Sequence, residues 1–441
     1  MTTGTLRRET GLLGATALGL GSVIGTGVFV SVAVAAEAAG PAVLLAIVVA
    51  AAVAACNGLS SAQLAANHPV SGGTYEYGYR WLTPSLGFVA GWTFLVAKSA
   101  SAATAALGFA GYVLRSVGGD APTWLLPIAL SAVACITALV LCGLRRSIWA
   151  NSVIVALALA ALAAFVVTGL PAALSNADAH LVPFFAPAEE GLSPIEGFFR
   201  ASALAFVAFA GYGRVATMAE EVHDPRATIP RAIIATLVIS AAVYSAVAVV
   251  GVAAVGSEAF GAAANEGAAP LEIAAASFGI PGVGSFIAVG AVAAMLGSLL
   301  NLILGLSRVV FAMGRRGDAP GFFTRIDDRG STPYAAVLLV GAVTTGLTLI
   351  GDVGWTWSFS AFSVLIYYAV TNLAALRLTP EERLYPRWIA GAGLGACLFL
   401  AFWVEARIWL VGLSVIGIGL LWHLVCRRLR RKSELPDATA D

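Results

Sequence analysis

Runs of about 20 apolar residues, parted by arginines or by Pro/Gly clusters, recur along the whole chain, and no other feature constrains its fold as strongly. A bilayer core of about 30 Å takes roughly that many residues as one helix. Twelve segments fit, near 11–37, 41–66, 84–116, 124–143, 149–170, 194–222, 229–256, 283–314, 334–350, 354–376, 386–403 and 406–426. Charged residues make up only 11% of the chain, against about 25% in soluble domains. An all-α polytopic membrane protein follows, with twelve transmembrane helices and the lipid bilayer as its first partner. The net charge of +1 offers nothing to nucleic acid, which is not an expected ligand.

The arginines set an expected orientation. With the N-terminus inside, Arg7, Arg8, Arg80, Arg145, Arg146, Arg226, Arg231, Arg315, Arg316, Arg325, Arg329, Arg377, Arg383, Arg387 and the RRLRRK run at 427–432 share one side. Only Arg115, Arg200 and Arg407 fall on or near the other. Such a bias places both termini in the cytoplasm by the positive-inside rule, in a protein of the cell membrane. The opposite connections carry acids such as Glu37, Asp120, Asp178, Glu189, Glu190, Glu258, Glu266 and Asp352. Two of them, about 171–193 and 257–282, are long enough for short surface helices. The tail has too few apolar residues to fold alone.

Cys56, Cys135, Cys142, Cys397 and Cys426 lie in or at the ends of apolar segments without metal-ligand spacing, so they read as packing residues. No cofactor and no metal are expected. The start, MTTGTLRRET, lacks the features of a cleaved signal, and the first helix is expected to stay.

The first helix contains GSVIGTGVF, with Gly25, Thr26 and Gly27 near its middle. Free backbone groups there cost several kcal/mol in lipid unless protein, water or a ligand satisfies them. The sixth segment has a comparable weak point in AFVAFAGYGR, where Gly211 and Gly213 bracket Tyr212. Close helix packing explains either cluster alone. Together they occupy matching places if helices 1–5 (11–170) and helices 6–10 (194–376) are repeats of opposite topology, and paired interruptions point to a transporter's central site. Helices 11 and 12 (386–426) and a tail at 427–441 then follow the repeats, and residues 1–10 precede them. At a break, free N–H groups and the positive dipole end suit a carboxylate, while free carbonyls suit an ammonium. One small molecule carrying both is an amino acid.

Four stretches now carry a resemblance: GLGSVIGTGVFV, HPVSGGTYEYGYRWLTPSLGFVAGW, AFVAFAGYGRVATMAEEVHDPRATIPRAI and SRVVFAMGRRGDAPGFFTRIDDRGSTPYAAVL. They resemble the amino acid, polyamine and organocation permeases. The resemblance implies the leucine-transporter-type fold, a 5+5 inverted repeat with broken helices 1 and 6, and secondary transport by alternating access. It also implies that Thr26 and Gly27, beside Gly25, hold the substrate carboxylate. Val23, Ile24, Val207 and Ala210 would offer carbonyls to the ammonium, and Phe209, Gly211 and Tyr212 would shape the pocket. In EEVHDPRATIPRAI it makes Glu220, Glu221 and Asp224 a structural and gating element, pairing with arginines such as Arg226 or Arg231. GRRGDAPGFF reads as a cytoplasmic turn, and SGGTYEYGYRWL as a short segment packed under the bundle.

The chain also departs from that pattern. Proton-coupled relatives resemble one another in a helix-5 lysine, whose matching position here is Ala158, which cannot titrate. Lys98, in the middle of helix 3, is instead one of two lysines. A midplane lysine costs about 2.5–3.5 kcal/mol on insertion scales, so it should face the bundle interior or water. By resemblance it lines the side-chain end of the pocket. It could be a fixed cation in place of a coupling ion, a titrating group, or a partner for an anionic substrate; alternatively it bonds only to carbonyls and hydroxyls such as Ser99 or Ser101. Gly213 stands where arginine-exchanging relatives carry an acid, and Arg214 follows it, lining a vestibule or pairing with Glu220 or a carbonyl. Both features argue against a cationic substrate. Ser298 and Asn301 are the mid-helix polar side chains of helix 8 and face either the site or a neighbouring helix.

The expected activity is therefore amino acid transport, by proton coupling or exchange, in either direction. A sodium site near helices 1 and 8 would use backbone ligands and leave no mark in side-chain identity. A neutral amino acid exporter and a non-transporting sensor are the competing readings. His68, His180, His223 and His423 lie near helix ends or in loops and form no cluster like H-E-x-x-H, so an enzyme is not expected.

Overall fold

The computed structural model describes residues 11–70, 72–118, 122–142, 148–187, 189, 191–217, 222–266, 268–326 and 332–433. Helices account for nearly all of them. The first is α1 (Leu12–Val23), followed by a π-helical turn (Gly27–Ser31), α2 (Val32–Ala39), α3 (Val43–Asn67) and the short α4 (Thr74–Trp81). Next come α5 (Pro84–Ser116), α6 (Leu125–Leu141), α7 (Ile148–His180) and α8 (Pro194–Phe209). A 3-10 turn (Ala210–Tyr212) leads to α9 (Gly213–Thr217), α10 (Pro225–Val255), α11 (Ser257–Glu266) and α12 (Pro270–Ala276). The chain closes with α13 (Val283–Arg316), a 3-10 turn (Gly321–Thr324), α14 (Tyr334–Thr348), α15 (Val353–Ala375), α16 (Arg387–Ala401) and α17 (Ala406–Ser433).

The boundaries follow from local chemistry. Thr83 accepts the N–H of Leu86 at 3.2 Å and Pro84 opens α5, a position where proline loses no hydrogen bond. Ser193 and Glu196 form a reciprocal capping box ahead of α8. Asp352 caps α15 through the N–H of Trp355 at 2.8 Å. Gly317, at φ 68°, ends α13 in the left-handed region.

Among the described residues, eight helices are long and apolar enough to cross a membrane, with Gly27–Asn67 counted as one; Leu12–Val23, Leu125–Leu141, Tyr334–Thr348 and Arg387–Ala401 are shorter apolar helices. Their outward faces carry Leu13 (87% exposed), Val167 (69%) and Trp388 (69%), among many other large apolar side chains. A soluble protein rarely presents so much contiguous apolar surface; lipid is the solvent that suits it, and the chain is an integral membrane protein.

Inside, α5 packs on both α13 and α15, α10 on α3 and α7, and α1 on α10 and α7. The 33 residues of α5 span about 50 Å at 1.5 Å each. One end of the bundle holds α4 and the Gly321–Thr324 turn, and the other holds α11 and α12; α13 runs from the second end to the first. The loops expected to hold surface helices differ: α7 continues through Pro171 to His180, whereas 257–282 folds into α11 and α12.

Candidate functional site

Helical geometry fails in the first helix at Ile24, whose backbone is extended (φ −79°, ψ 100°). The Gly25 carbonyl accepts the N–H groups of Val28 and Phe29, both at 3.2 Å, so a new helical turn begins there. The N–H groups of Thr26 and Gly27 then belong to a first turn and have no carbonyl of a preceding turn to bond. The second interruption is milder. At the end of α8 the chain tightens into a 3-10 turn, with Ala210 (φ −62°, ψ −3°) and Gly213 (φ −55°, ψ −19°) still near helical values.

The two interruptions touch. A Cβ at Gly211 would overlap the carbonyl of Ser22 and lie 2.7 Å from the Val23 nitrogen, so this approach admits glycine alone. A Cβ at Gly27 would meet the Tyr244 hydroxyl at 2.8 Å and the Ala208 methyl at 3.0 Å. Tyr244 Oη donates to the Val23 carbonyl at 2.8 Å, with the Ala208 carbonyl at 3.1 Å, and Tyr368 Oη donates to the Ala210 carbonyl at 3.0 Å. Two tyrosines from α10 and α15 thus satisfy carbonyls freed at the interruptions. Nothing in the hydrophobic pattern marks either of them.

Between these elements lies a cavity of about 170 Å³, several times the ~30 Å³ share of one water molecule. It suits a small solute. Of the expected residues, Val23, Thr26, Gly27, Lys98, Val207, Ala210, Gly211, Arg214, Ser298 and Asn301 line it; Ile24, Gly25, Phe209 and Tyr212 do not. Ile24 is buried, and Gly25 leaves the space that Ser298 Oγ fills. The Phe209 ring packs against Tyr244 at 5.0 Å, and Tyr212 against Tyr368 at 5.4 Å. Phe94, Arg308 and Trp357 also line the cavity, and sequence reasoning did not single them out; Ser101, weighed there only as a bonding partner of Lys98, lines it as well. Trp357 Nε1 donates to the Leu204 carbonyl at 3.0 Å, which holds the indole across α8.

The cavity is lopsided. The α13 residues that line it run from Ser298, at the middle of that helix, toward its C-terminal end at Ala312, and Gly72 beside α4 joins them. Among the described residues none that lines it comes from α2, α11 or α12. At that far end, Tyr112 Oη donates to the Phe29 carbonyl at 2.9 Å and accepts the Leu271 N–H at 3.3 Å. Arg200 pairs there with Glu189 at 2.8 Å and Glu405 at 2.6 Å. Burial pushes the Glu272 carboxyl up to about 7, against the opposing pull of Arg115.

Lys98 is 8% exposed, near the middle of α5. Ser101, a candidate partner, is bonded to Ser360 at 2.8 Å instead. At the Ala158 position the chain is packed, since a Cβ at Gly290 would overlap the Ala161 methyl and reach within 3.8 Å of the Ala158 Cα. The Arg214 guanidinium lies along α13, where a Cβ at Gly305 would sit 3.0 Å from its Nη1.

Glu220 and Glu221 lie outside the described residues. Asp224 forms no ion pair with Arg226 or Arg231; it takes a left-handed backbone (φ 42°), and its carbonyl accepts from Ala227 and Thr228 at the start of α10. GRRGDAPGFF is more than a turn. Asp318, 6% exposed, accepts from Tyr75 at 2.7 Å and Tyr79 at 2.5 Å, and its Oδ1 lies 3.2 Å from Nδ1 of His423. Burial first, and then the Asp318 carboxylate, push both phenols well above their ordinary range and keep them donors. His423 sits inside α17, stacked on Phe88 at 4.6 Å. The sequence reading placed it near a helix end because it stopped that helix at 426.

Comparison with known proteins adds to this geometry. The sequence model described as "Amino acid permease" matches residues 14–428. An uncharacterized transporter of Mycobacterium tuberculosis is 40% identical over 98% of this chain and 94% of its own. Two proteins of Bacillus subtilis are also similar: the branched-chain amino acid permease, 28% identical over 97% and 94%, and the methylthioribose transporter, 27% identical over 94% and 92%.

Proposed function

Given that this chain belongs to the amino acid permease family, we propose that it is a secondary active carrier of an amino acid, working by alternating access. It is a transporter and not an enzyme, as its family is. In the proposed arrangement twelve spans enclose two inverted five-helix repeats, 11–170 and 194–376, whose first helices carry the interruptions. The observation behind the reading is the backbone contact between Gly211 and Ser22–Val23 at the wall of a cavity that also holds the first-turn N–H groups of Thr26 and Gly27.

The chemistry follows from the ends of the helical segments. Thr26 and Gly27 present N–H groups and a hydroxyl, which favour a carboxylate at the positive end of a helix dipole. Carbonyls at Val23, Val207 and Ala210 face an ammonium; a carbonyl oxygen bonded to tyrosine retains a second lone pair. With both termini cytoplasmic, the α4 end faces the cytoplasm of a cell-membrane protein, and the lopsided cavity corresponds to an inward-open state. Lys98, Arg214, Ser298 and Asn301 are the coupling or gating candidates. The relatives are named for substrates as different as branched-chain amino acids and methylthioribose, so substrate class has to be argued from this cavity.

The test is uptake of acidic, neutral and basic radiolabelled amino acids into proteoliposomes, with and without an inward proton gradient and with amino acids preloaded. Flux that follows the proton gradient makes the protein a symporter, and flux that requires preloaded substrate makes it an exchanger. Saturable binding without flux in either format would make it a sensor and overturn the carrier reading. Gly27→Ala, which forces a methyl onto Tyr244, is expected to lower uptake at least ~10-fold, the equivalent of about 1.4 kcal/mol.

A further inference from the structure

Lys98 makes no hydrogen bond or ion pair with any described residue. Its ammonium is carried into the cavity from the middle of α5, and the hydroxyl one turn along, on Ser101, is already bonded to Ser360 at 2.8 Å. A buried polar group without a partner calls for an explanation, because in low dielectric the missing partner is expensive. Among the described residues no aspartate or glutamate lines the cavity, while Arg214 and Arg308 line its part toward the α4 end. The cavity therefore holds, among the described residues, a lysine without a partner.

We propose that the substrate is an amino acid with an acidic side chain, of the aspartate or glutamate class, whose side-chain carboxylate pairs with the Lys98 ammonium. The assignment rests on the carrier reading above. The α-carboxylate would occupy the N–H groups of Thr26 and Gly27, and the second carboxylate would reach the α5 wall.

The physical argument turns on dehydration. A carrier that alternates must pass through a state in which the cavity is shut to water on both sides. With a neutral amino acid inside, Lys98 would then be a buried charge facing no counter-charge, which costs several kcal/mol. With a cationic side chain the repulsion adds to that cost. A carboxylate removes the penalty through a charge-assisted hydrogen bond, so occlusion itself selects the acidic ligand.

The experiment uses the full chain in proteoliposomes, with competition by L-glutamate, L-aspartate, L-glutamine, L-asparagine, L-leucine and L-arginine. The amides match the acids in shape and differ in charge. Wild type is expected to favour each acid over its amide by at least ~10-fold. Lys98→Met is expected to bring that ratio to within about threefold while still taking the amide, and Lys98→Arg to retain it. An acid preference that persists in Lys98→Met, or a wild type that takes amides or leucine as readily as the acids, would overturn the assignment. The wild-type ratio and Lys98→Arg decide the matter even if Lys98→Met does not fold. Failure of every amino acid to bind or move is a separate result, which overturns the carrier reading itself.

Discussion

Lys98 and Asp318 are both almost fully buried, at 8% and 6% exposure, and their surroundings are opposite. Asp318 accepts from Tyr75 and Tyr79, faces His423 at 3.2 Å, and its carbonyl accepts from Trp422 Nε1 at 2.9 Å. Arg316 extends the same cluster, pairing with Glu76 and covering the Tyr79 ring at 4.5 Å. Lys98 has a cavity wall and, among the described residues, no partner. Burial alone therefore does not separate a structural charge from a functional one; the pairing does. A carboxylate surrounded by its own donors ties α4, α13 and α17 together, whereas an ammonium left open is set up for something that arrives.

Stability measurements can break this contrast. Asp318→Ala should have the largest effect, because two phenols lose their acceptor and the His423 ring loses the carboxylate it faces. A loss of about 3 kcal/mol is expected, read as a lowered midpoint of thermal unfolding in detergent; an unchanged midpoint would mean that the cluster is incidental. Lys98→Met should shift the midpoint the opposite way, by about 2 kcal/mol, since an unpaired buried charge is replaced by an apolar chain of similar length. A loss as large as that of Asp318→Ala would show that Lys98 has a structural partner.

The smallest effect concerns Glu272, a third buried ionisable group, at the α11–α12 end. Its carboxyl is raised in the folded protein to about 7 from an ordinary 4.5, so the native state binds the proton more tightly than the unfolded chain does. Its contribution is fully present below the unfolded value and is lost as pH rises through about 7. Wild type should therefore lose thermal stability between pH 5 and pH 8 relative to Glu272→Gln; parallel curves for the two proteins would remove Glu272 from that account.

Much of the helix layout was legible because its boundaries are local chemistry. The segment expected at 84–116 coincides with α5, where a threonine cap and a proline fix the start. The end of α17 was not legible, since RRLRRK interrupts apolarity without interrupting the helix. At the candidate site, Gly25–Thr26–Gly27 and Gly211–Tyr212–Gly213 look alike in sequence. Yet the chain leaves helical geometry at Ile24 in the first and only tightens in the second. Neighbouring backbone decides that difference: Gly211 is pressed onto Ser22–Val23, and Tyr244 and Tyr368 reach in from helices far along the chain.

By itself the sequence determined an all-helical membrane protein of the amino acid permease family with glycine-weakened first and sixth segments. Composition, helix caps and the cost of unsatisfied backbone in lipid act within one segment at a time, so a linear reading captures them. Only the tertiary structure decided that Asp318 is paired and Lys98 is not. That outcome depends on how α5, α13, α15 and α17 rotate and slide against one another, and a side chain's partner across a helix interface is set by those relative positions, which no single segment contains.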